Sequence, residues 1–131
     1  MKKAALFFTL AILLLLTLTL SACADTQDAP AQAVLLYYQA LADKNQEELI
    51  NYACADYEMQ AYLESDSFVS VETELVDAAC QTVSEDGDTA LVTCEGAITA
   101  TYNGEAREFP LSGRTYTVIN ENGEWRLCGY E

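Results

Sequence analysis

The sequence predicts an α+β domain in which N-terminal helices pack on a curved, four-stranded antiparallel sheet. Three observations carry this expectation. Residues 31–63 hold apolar side chains at helical spacing, and residues 69–130 switch to alternation. Two Asn-Gly pairs and an Asp-Gly turn then divide the second half into hairpins. Helices first and strands afterwards is the order of a layered α+β fold, not of a parallel α/β one.

Met1-Lys2-Lys3 is a short basic start, and Ala4 to Leu20 is apolar apart from Thr9, Thr17 and Thr19. A basic start, an apolar run and small residues at its end have the form of a secretory signal peptide. The closing Leu20-Ser21-Ala22-Cys23 resembles the lipobox of bacterial lipoproteins. In that family a dedicated peptidase cuts just before the cysteine, whose thiol carries a diacylglycerol. The resemblance implies a signal peptide over 1–22, lipidation at Cys23, a lipidated tether over 23–30 and a folded domain over 31–131. Two alternatives stand beside it. Ala22-Cys23-Ala24 also fits an ordinary signal cut, and the apolar run is close to the ~20 residues that span a bilayer. In each case the lysines keep the N-terminus on the cytoplasmic side. The domain is therefore expected on the extracytoplasmic side of a bacterial cell membrane, held there through Cys23.

Ala24 to Ala29 is a short tether of small and polar residues. Pro30, which suits a first helical turn, ends it. The first helix is expected over 31–42, with Val34, Tyr38 and Leu41 on one face and Leu35 beside them. Asp43-Lys44-Asn45 interrupts it. Asn45 followed by Glu48 has the form of a capping box, opening a second helix through Leu49, Ile50, Ala53 and Cys54. A third helical piece covers Tyr57 to Leu63, with Met59, Tyr62 and Leu63 as its apolar side. Glu64-Ser65-Asp66-Ser67 ends the helical half.

Val69 and Val71 then alternate with Ser70 and Glu72 up to Leu75, after which the apolar or small set moves to Val76, Ala78 and Cys80. Such a slip of phase predicts a β-bulge near Glu74-Leu75 that bends the strand. Ser84 to Asp88 forms a turn, and the second strand runs from Thr89 to Tyr102. Asn103-Gly104 turns into a third strand, Glu105 to Asn120, interrupted around Pro110 to Gly113 because proline is poor in a central strand. Asn122-Gly123 turns into the last strand, Trp125 to Tyr130.

Without residues 1–22 the chain has 109 residues, enough for one domain with its own core. It keeps four basic residues (Lys44, Arg107, Arg114 and Arg126) against all 21 acids, a formal charge of −17. Nucleic acid is excluded as a partner, since its binding rests on cationic side chains over phosphates. Anionic headgroups repel such a surface too, so the tethered domain stands off the bilayer. With no histidine, zinc sites built on imidazole and Ser-His-Asp or Cys-His pairs are unavailable. The sequence calls for no cofactor and no metal. The acidic tip Glu85-Asp86-Gly87-Asp88 lacks the EF-hand pattern.

Five cysteines is an odd number for an exported chain. Lipid on Cys23 leaves Cys54, Cys80, Cys94 and Cys128, and an even set can form two disulfides.

Three stretches carry a further resemblance: Tyr37-Tyr38-Gln39-Ala40-Leu41-Ala42, Asp86-Gly87-Asp88-Thr89-Ala90, and Asn122-Gly123-Glu124-Trp125-Arg126-Leu127-Cys128-Gly129. They are similar to small bacterial lipoproteins of the nuclear transport factor two-like (NTF2-like) superfamily, also called the ketosteroid-isomerase-like or cystatin-like cone fold. The resemblance implies curved strands wrapped around the helices, with room for an interior pocket. It also implies that the sheet face of such a domain is free to pair in a homodimer.

Counting Asp86 to Asp88 as a three-residue loop sets Glu85 opposite Thr89, Val76 opposite Ile98 and Cys80 opposite Cys94. Opposed cysteines of an antiparallel pair are within disulfide reach. Cys54 is then left for Cys128. Four cysteines allow three pairings, and a shift of one residue would separate Cys80 from Cys94.

The expected function is that of a non-catalytic binding or interaction module, taking a small apolar ligand or an envelope protein. An isomerase or hydratase using an Asp/Tyr pocket and a structural dimerising module are the alternatives. Enzymes of the cone fold use a carboxylate base with tyrosine or carboxylic acid partners. Asp56, next to Tyr57 and near Tyr52, and Asp77, in an apolar strand, are the acids that invite inspection. Tyr37, Tyr38, Tyr52 and Tyr62 have spacings that serve helix packing equally well. Trp125 is expected in the core or over the cone mouth.

Overall fold

The computed structural model describes residues 28–131. The signal segment 1–22, Cys23 and residues 24–27 lie outside the described residues. Among the described residues, no helix is long and apolar enough to cross a membrane.

Three helices come first: α1 (Ala29–Ala42), α2 (Gln46–Asn51) and α3 (Glu58–Phe68). Five strands follow: β1 (Glu72–Asp86), β2 (Thr89–Tyr102), β3 (Glu105–Pro110), β4 (Tyr116–Glu121) and β5 (Glu124–Tyr130). They form one curved antiparallel sheet on which the helices pack, the α+β cone architecture expected from the sequence.

The N-terminus of α1 starts earlier than the apolar pattern indicates. Ala29 and Pro30, expected in the tether, form its first turn, and Asp28 caps it by accepting from the Ala31 amide at 3.4 Å. The same carboxylate accepts from the Thr82 amide at 2.7 Å and from the Thr82 hydroxyl, tying the helix to β1. Burial alone would raise the Asp28 pKa, but these Thr82 and Ala31 bonds hold it below the ordinary value. Val34, Tyr37, Tyr38 and Leu41 on α1 are all buried against the sheet and the other helices. Each such side chain contributes roughly 1.5–3 kcal/mol by leaving water.

Half of the expected capping box of α2 forms, since the Asn45 backbone amide donates to the Ala40 carbonyl at 2.9 Å and not to Glu48. Asn45 Oδ1 accepts from the Glu48 amide at 3.2 Å, and Asn45 Nδ2 donates to Glu48 Oε2 at 2.9 Å. The helix ends at Asn51, three residues before the expected Cys54, because the chain leaves it to pair with β5. The Cys54 amide donates to the Leu127 carbonyl and the Leu127 amide to the Tyr52 carbonyl, at 2.9 and 2.7 Å. A two-residue detour thus sets Cys54 beside Cys128, and the two form a disulfide with Cα atoms 5.3 Å apart. Helix α3 runs five residues past Leu63, through the stretch expected to end the helical half. Its inward side is Tyr57, Ala61, Glu64 and Phe68, while Met59, Tyr62 and Leu63 are exposed.

Strand β2 is the spine of the sheet. β1 pairs along one edge, and the other edge is divided between β3 on residues 97–102 and β4 on residues 89–92. The expected third strand is therefore two, which makes five strands where four were expected. Pro110 has no amide to continue the ladder, and Leu111 leaves it by donating to the Gly96 carbonyl at 2.9 Å. β5 completes the sheet beside β4. The Asn103-Gly104 and Asn122-Gly123 hairpins have both central residues at positive φ, as a two-residue type I′ turn requires.

The bend of β1 lies at Asp77-Ala78, not at Glu74-Leu75, and the Asp77 side chain is exposed there. Val76 faces Ala97 and Ala79 faces Glu95, so two residues of β1 oppose Gly96 alone. The first hairpin also differs from the expected count. Its loop is Gly87-Asp88, Glu85 faces Ala90, and a second irregularity at Val83 absorbs the extra residue. The Asp77-Ala78 bulge is what sets Leu75, not Val76, opposite Ile98. Cys80 still stands opposite Cys94, with Cα atoms 4.1 Å apart and a disulfide between them.

Candidate functional site

The helices and the sheet leave one end of the cone incompletely filled, and the side chains there are the richest in chemistry. Helix α1 supplies Tyr37 and Tyr38, successive residues whose rings meet edge to face at 5.3 Å. Helix α3 supplies Glu64, and its N-cap residue Tyr57 lies on the same face two turns earlier. Glu64 Oε2 accepts from the Tyr37 hydroxyl at 2.8 Å and Glu64 Oε1 from the Tyr57 hydroxyl at 2.6 Å. Each oxygen of this half-buried carboxylate is thereby held by a neutral phenol.

From the sheet side, Tyr116 packs against Tyr38 at 5.6 Å and against Tyr130 at 5.8 Å. The Tyr116 hydroxyl donates to the Leu111 carbonyl at 2.8 Å. Arg114 lies over the Tyr130 ring, its guanidinium carbon 4.5 Å from the centroid, a cation–π contact. A cavity of about 190 Å³ opens among these groups. Leu41, Phe68, Ile98 and Leu111 give it apolar walls, and Tyr38, Glu64 and Arg114 give it polar ones. Phe109 closes one side by stacking edge to face on Phe68 at 5.3 Å.

Burial pushes the phenol pKa of Tyr37 and Tyr57 well above the ordinary range, and the Glu64 carboxylate beside them adds to the rise. Burial dominates for Tyr38 as well, followed by the charges of Tyr116 and Glu64. Tyr116 is raised too, by burial, against the lowering influence of Tyr38 and Arg114. All four keep their phenolic protons at neutral pH, and those of Tyr37, Tyr57 and Tyr116 are donated within the fold.

The sign of the linkage follows. Above the ordinary tyrosine value near 10, the unfolded chain loses phenolic protons that the folded chain keeps. Stability is therefore fully present below pH 10 and lost above it, by up to about 1.4 kcal/mol per pH unit for each buried tyrosine. Denaturant titrations at pH 8, 10 and 11 are expected to show this loss. Tyrosinate absorbance from the buried Tyr37 and Tyr38 should appear only with unfolding, and their titration in the folded chain near pH 10 would contradict the assignment.

The acids that the sequence singled out do not enter this site. Asp56 is exposed on the turn before α3, and Asp77 is exposed on the β1 bulge. Tyr52 lines a different feature, an open cleft of about 610 Å³ between α1, α2 and the β4–β5 hairpin, and Tyr62 is exposed. Trp125 is half-buried against the core and faces that outer cleft. It neither fills the core nor covers the mouth. Glu64 and Arg114 were missed. The signal for Glu64 was present: Tyr57, Ala61, Glu64 and Phe68 recur at steps of four, three and four, one helix face. Arg114 carried no such signal, since it lies in the irregular segment between β3 and β4. Among the described residues, no group of three or more His, Cys, Asp or Glu side chains is placed to hold a metal ion.

No protein-family model matches the chain, and no curated protein sequence matches it. Solved structures do resemble it in fold. An NTF2-like protein with a cystatin-like fold from Novosphingobium aromaticivorans superposes with a TM-score of 0.56 at 15% identity, over 93% of this chain and 85% of its own. A candidate ketosteroid isomerase from Shewanella frigidimarina also gives 0.56 at 15% identity, over 81% and 95%. A candidate dehydratase of the NTF2-like family from Streptomyces avermitilis gives 0.52 at 18% identity, over 76% and 88%. At these identities the likeness establishes the fold, an NTF2-like cone.

Proposed function

We propose that this chain is a membrane-anchored lipoprotein of the extracytoplasmic face, whose cone domain is a non-catalytic module that binds a small, largely apolar ligand in its mouth. The observation that carries the non-catalytic part is the state of Glu64. A general base presents an oxygen to the substrate proton, and here each oxygen already accepts from a tyrosine hydroxyl, leaving only its second lone pair for a substrate. The anchoring part is supported by the Leu20-Ser21-Ala22-Cys23 pattern and by the even cysteine set that lipidation of Cys23 leaves.

A second reading is a proton-transfer enzyme of isomerase or dehydratase type. It is favoured by the convergence of a carboxylate, phenols and a guanidinium on one cavity, and by the names of two of the structural neighbours. Hydrogen exchange distinguishes the two. In heavy water the full chain is expected to leave the α-hydrogens of cyclohexanone at the uncatalysed rate. Exchange that the wild type accelerates and Glu64→Gln abolishes would replace the binding module by the enzyme.

The anchor is tested in bacteria expressing the full chain. The wild type is expected in the membrane fraction, with a diacylglycerol mass on the peptide that begins at Cys23, and Cys23→Ala in the soluble fraction. Equal partition of the two forms would remove the lipoprotein reading.

A further inference from the structure

We propose that the mouth cavity takes a small monocarboxylic acid with an apolar body, its carboxylate held between the Arg114 guanidinium and the Tyr38 hydroxyl. This rests on the reading of the mouth as a binding site and names the chemistry of what it binds.

Two polar groups there are incompletely matched within the fold: Tyr38 in its hydrogen bonding and Arg114 in its charge. Tyr38 is 3% exposed, and its hydroxyl lies beside the Tyr116 hydroxyl and the Arg114 guanidinium without a well-aligned hydrogen bond among the described residues. A buried hydroxyl left unmatched costs free energy, so a position lining a cavity calls for an acceptor from outside the chain. Arg114 lines the same cavity, close to Tyr38 and Tyr116. Among the described residues the ion pairs are those of Arg126 with Glu121 and Glu124, and Arg114 makes none. Lys44 and Arg107 make none either, but of the three only Arg114 lines this cavity.

Glu64 lines the same cavity but makes no ion pair with Arg114, and its two oxygens accept from tyrosine hydroxyls instead. A guanidinium presents paired N–H groups that match the two oxygens of a carboxylate, and the Tyr38 hydroxyl adds a third donor. Leu41, Ile98, Leu111 and Phe68 leave the rest of the space apolar. Its volume of about 190 Å³ exceeds the roughly 150 Å³ of an engineered cavity that accepts benzene. A substituted six-membered ring is thus the appropriate size.

Benzoate and its neutral isostere benzamide test the inference by calorimetric titration of the full chain in nonionic micelles, with empty micelles subtracted. Benzoate is expected to saturate one site and benzamide to bind at least tenfold more weakly. Arg114→Gln should weaken benzoate at least tenfold, and Tyr38→Phe, which keeps the packing, about fivefold, with benzamide affected much less by either. Unfolding midpoints of both variants establish that they are folded, and Arg114→Lys serves should the glutamine variant not fold. Saturable benzamide binding as tight as benzoate, or benzoate binding that ignores Arg114, would overturn the carboxylate assignment while leaving a binding site. Absence of saturable binding by either probe would overturn both that assignment and the binding-module reading.

Discussion

Replacing Cys54 and Cys128 together by alanine is expected to destabilise the domain by about 4 kcal/mol, against about 3 kcal/mol for the Cys80/Cys94 pair. The two disulfides close loops of very different length, with sequence separations of 74 and 14 residues. In the chain-entropy account, the longer loop removes more freedom from the unfolded chain. The structure adds a local reason. Cys54–Cys128 sits next to the exchange of hydrogen bonds between residues 52–54 and Leu127, the only covalent tie of the helical layer to β5 among the described residues. Cys80–Cys94 joins strands already paired along most of their length. Urea unfolding of the two double variants would decide the matter. An equal loss, or a larger one for Cys80/Cys94, would show that loop closure does not govern this fold.

Gly96→Ala is expected to cost roughly 3 kcal/mol or more, among the largest effects of any single added methyl group here. Gly96 has φ +90°, and a Cβ atom there would lie 2.6 Å from the carbonyl oxygens of both Val76 and Asp77. Those oxygens belong to the bulge that bends β1, so relief would require the two strands to separate at the curve of the sheet. Gly87→Ala is the control. It also has a positive φ, +60°, but no atom lies within 4 Å of its Cβ position, so only the conformational cost of about 1 kcal/mol applies. Thermal unfolding of the two variants should differ by several degrees. A Gly96→Ala variant no less stable than Gly87→Ala would mean that the bulge is not a fixed feature.

Much of the architecture could be read locally. The Asn45 N-cap, the two Asn-Gly turns and the break at Pro110 each follow from the backbone demands of a few consecutive residues. They appear where those residues stand. Differences arise where distant segments compete for the same backbone. Helix α2 stops at Asn51 because residues 52–54 find β5, and α3 continues to Phe68 because Glu64 and Phe68 have partners on the cone interior. The β1–β2 hairpin shows two departures that cancel: a loop of two residues instead of three and an extra residue at Val83 leave Cys80 opposite Cys94. A phase slip in the sequence announced that β1 bends. Where it bends was set by Gly96 on the neighbouring strand, through a contact between residues about twenty apart.

By itself the sequence determined the order of helices before strands, the acidic, histidine-free character of the domain and the positions of its two Asn-Gly turns. These depend on composition, on periodicities of 2 and 3.6 residues, and on which residues tolerate positive φ. Only the tertiary structure decided that Glu64 and Arg114, not Asp56 or Asp77, line the mouth, and that Trp125 faces the outer cleft. The physical reason is that a site is made by side chains from α1, α3 and the β3–β4 segment converging in space. Whether an acid meets a phenol or water is settled by the curvature of the sheet and the length of α3, neither of which any short stretch of residues encodes.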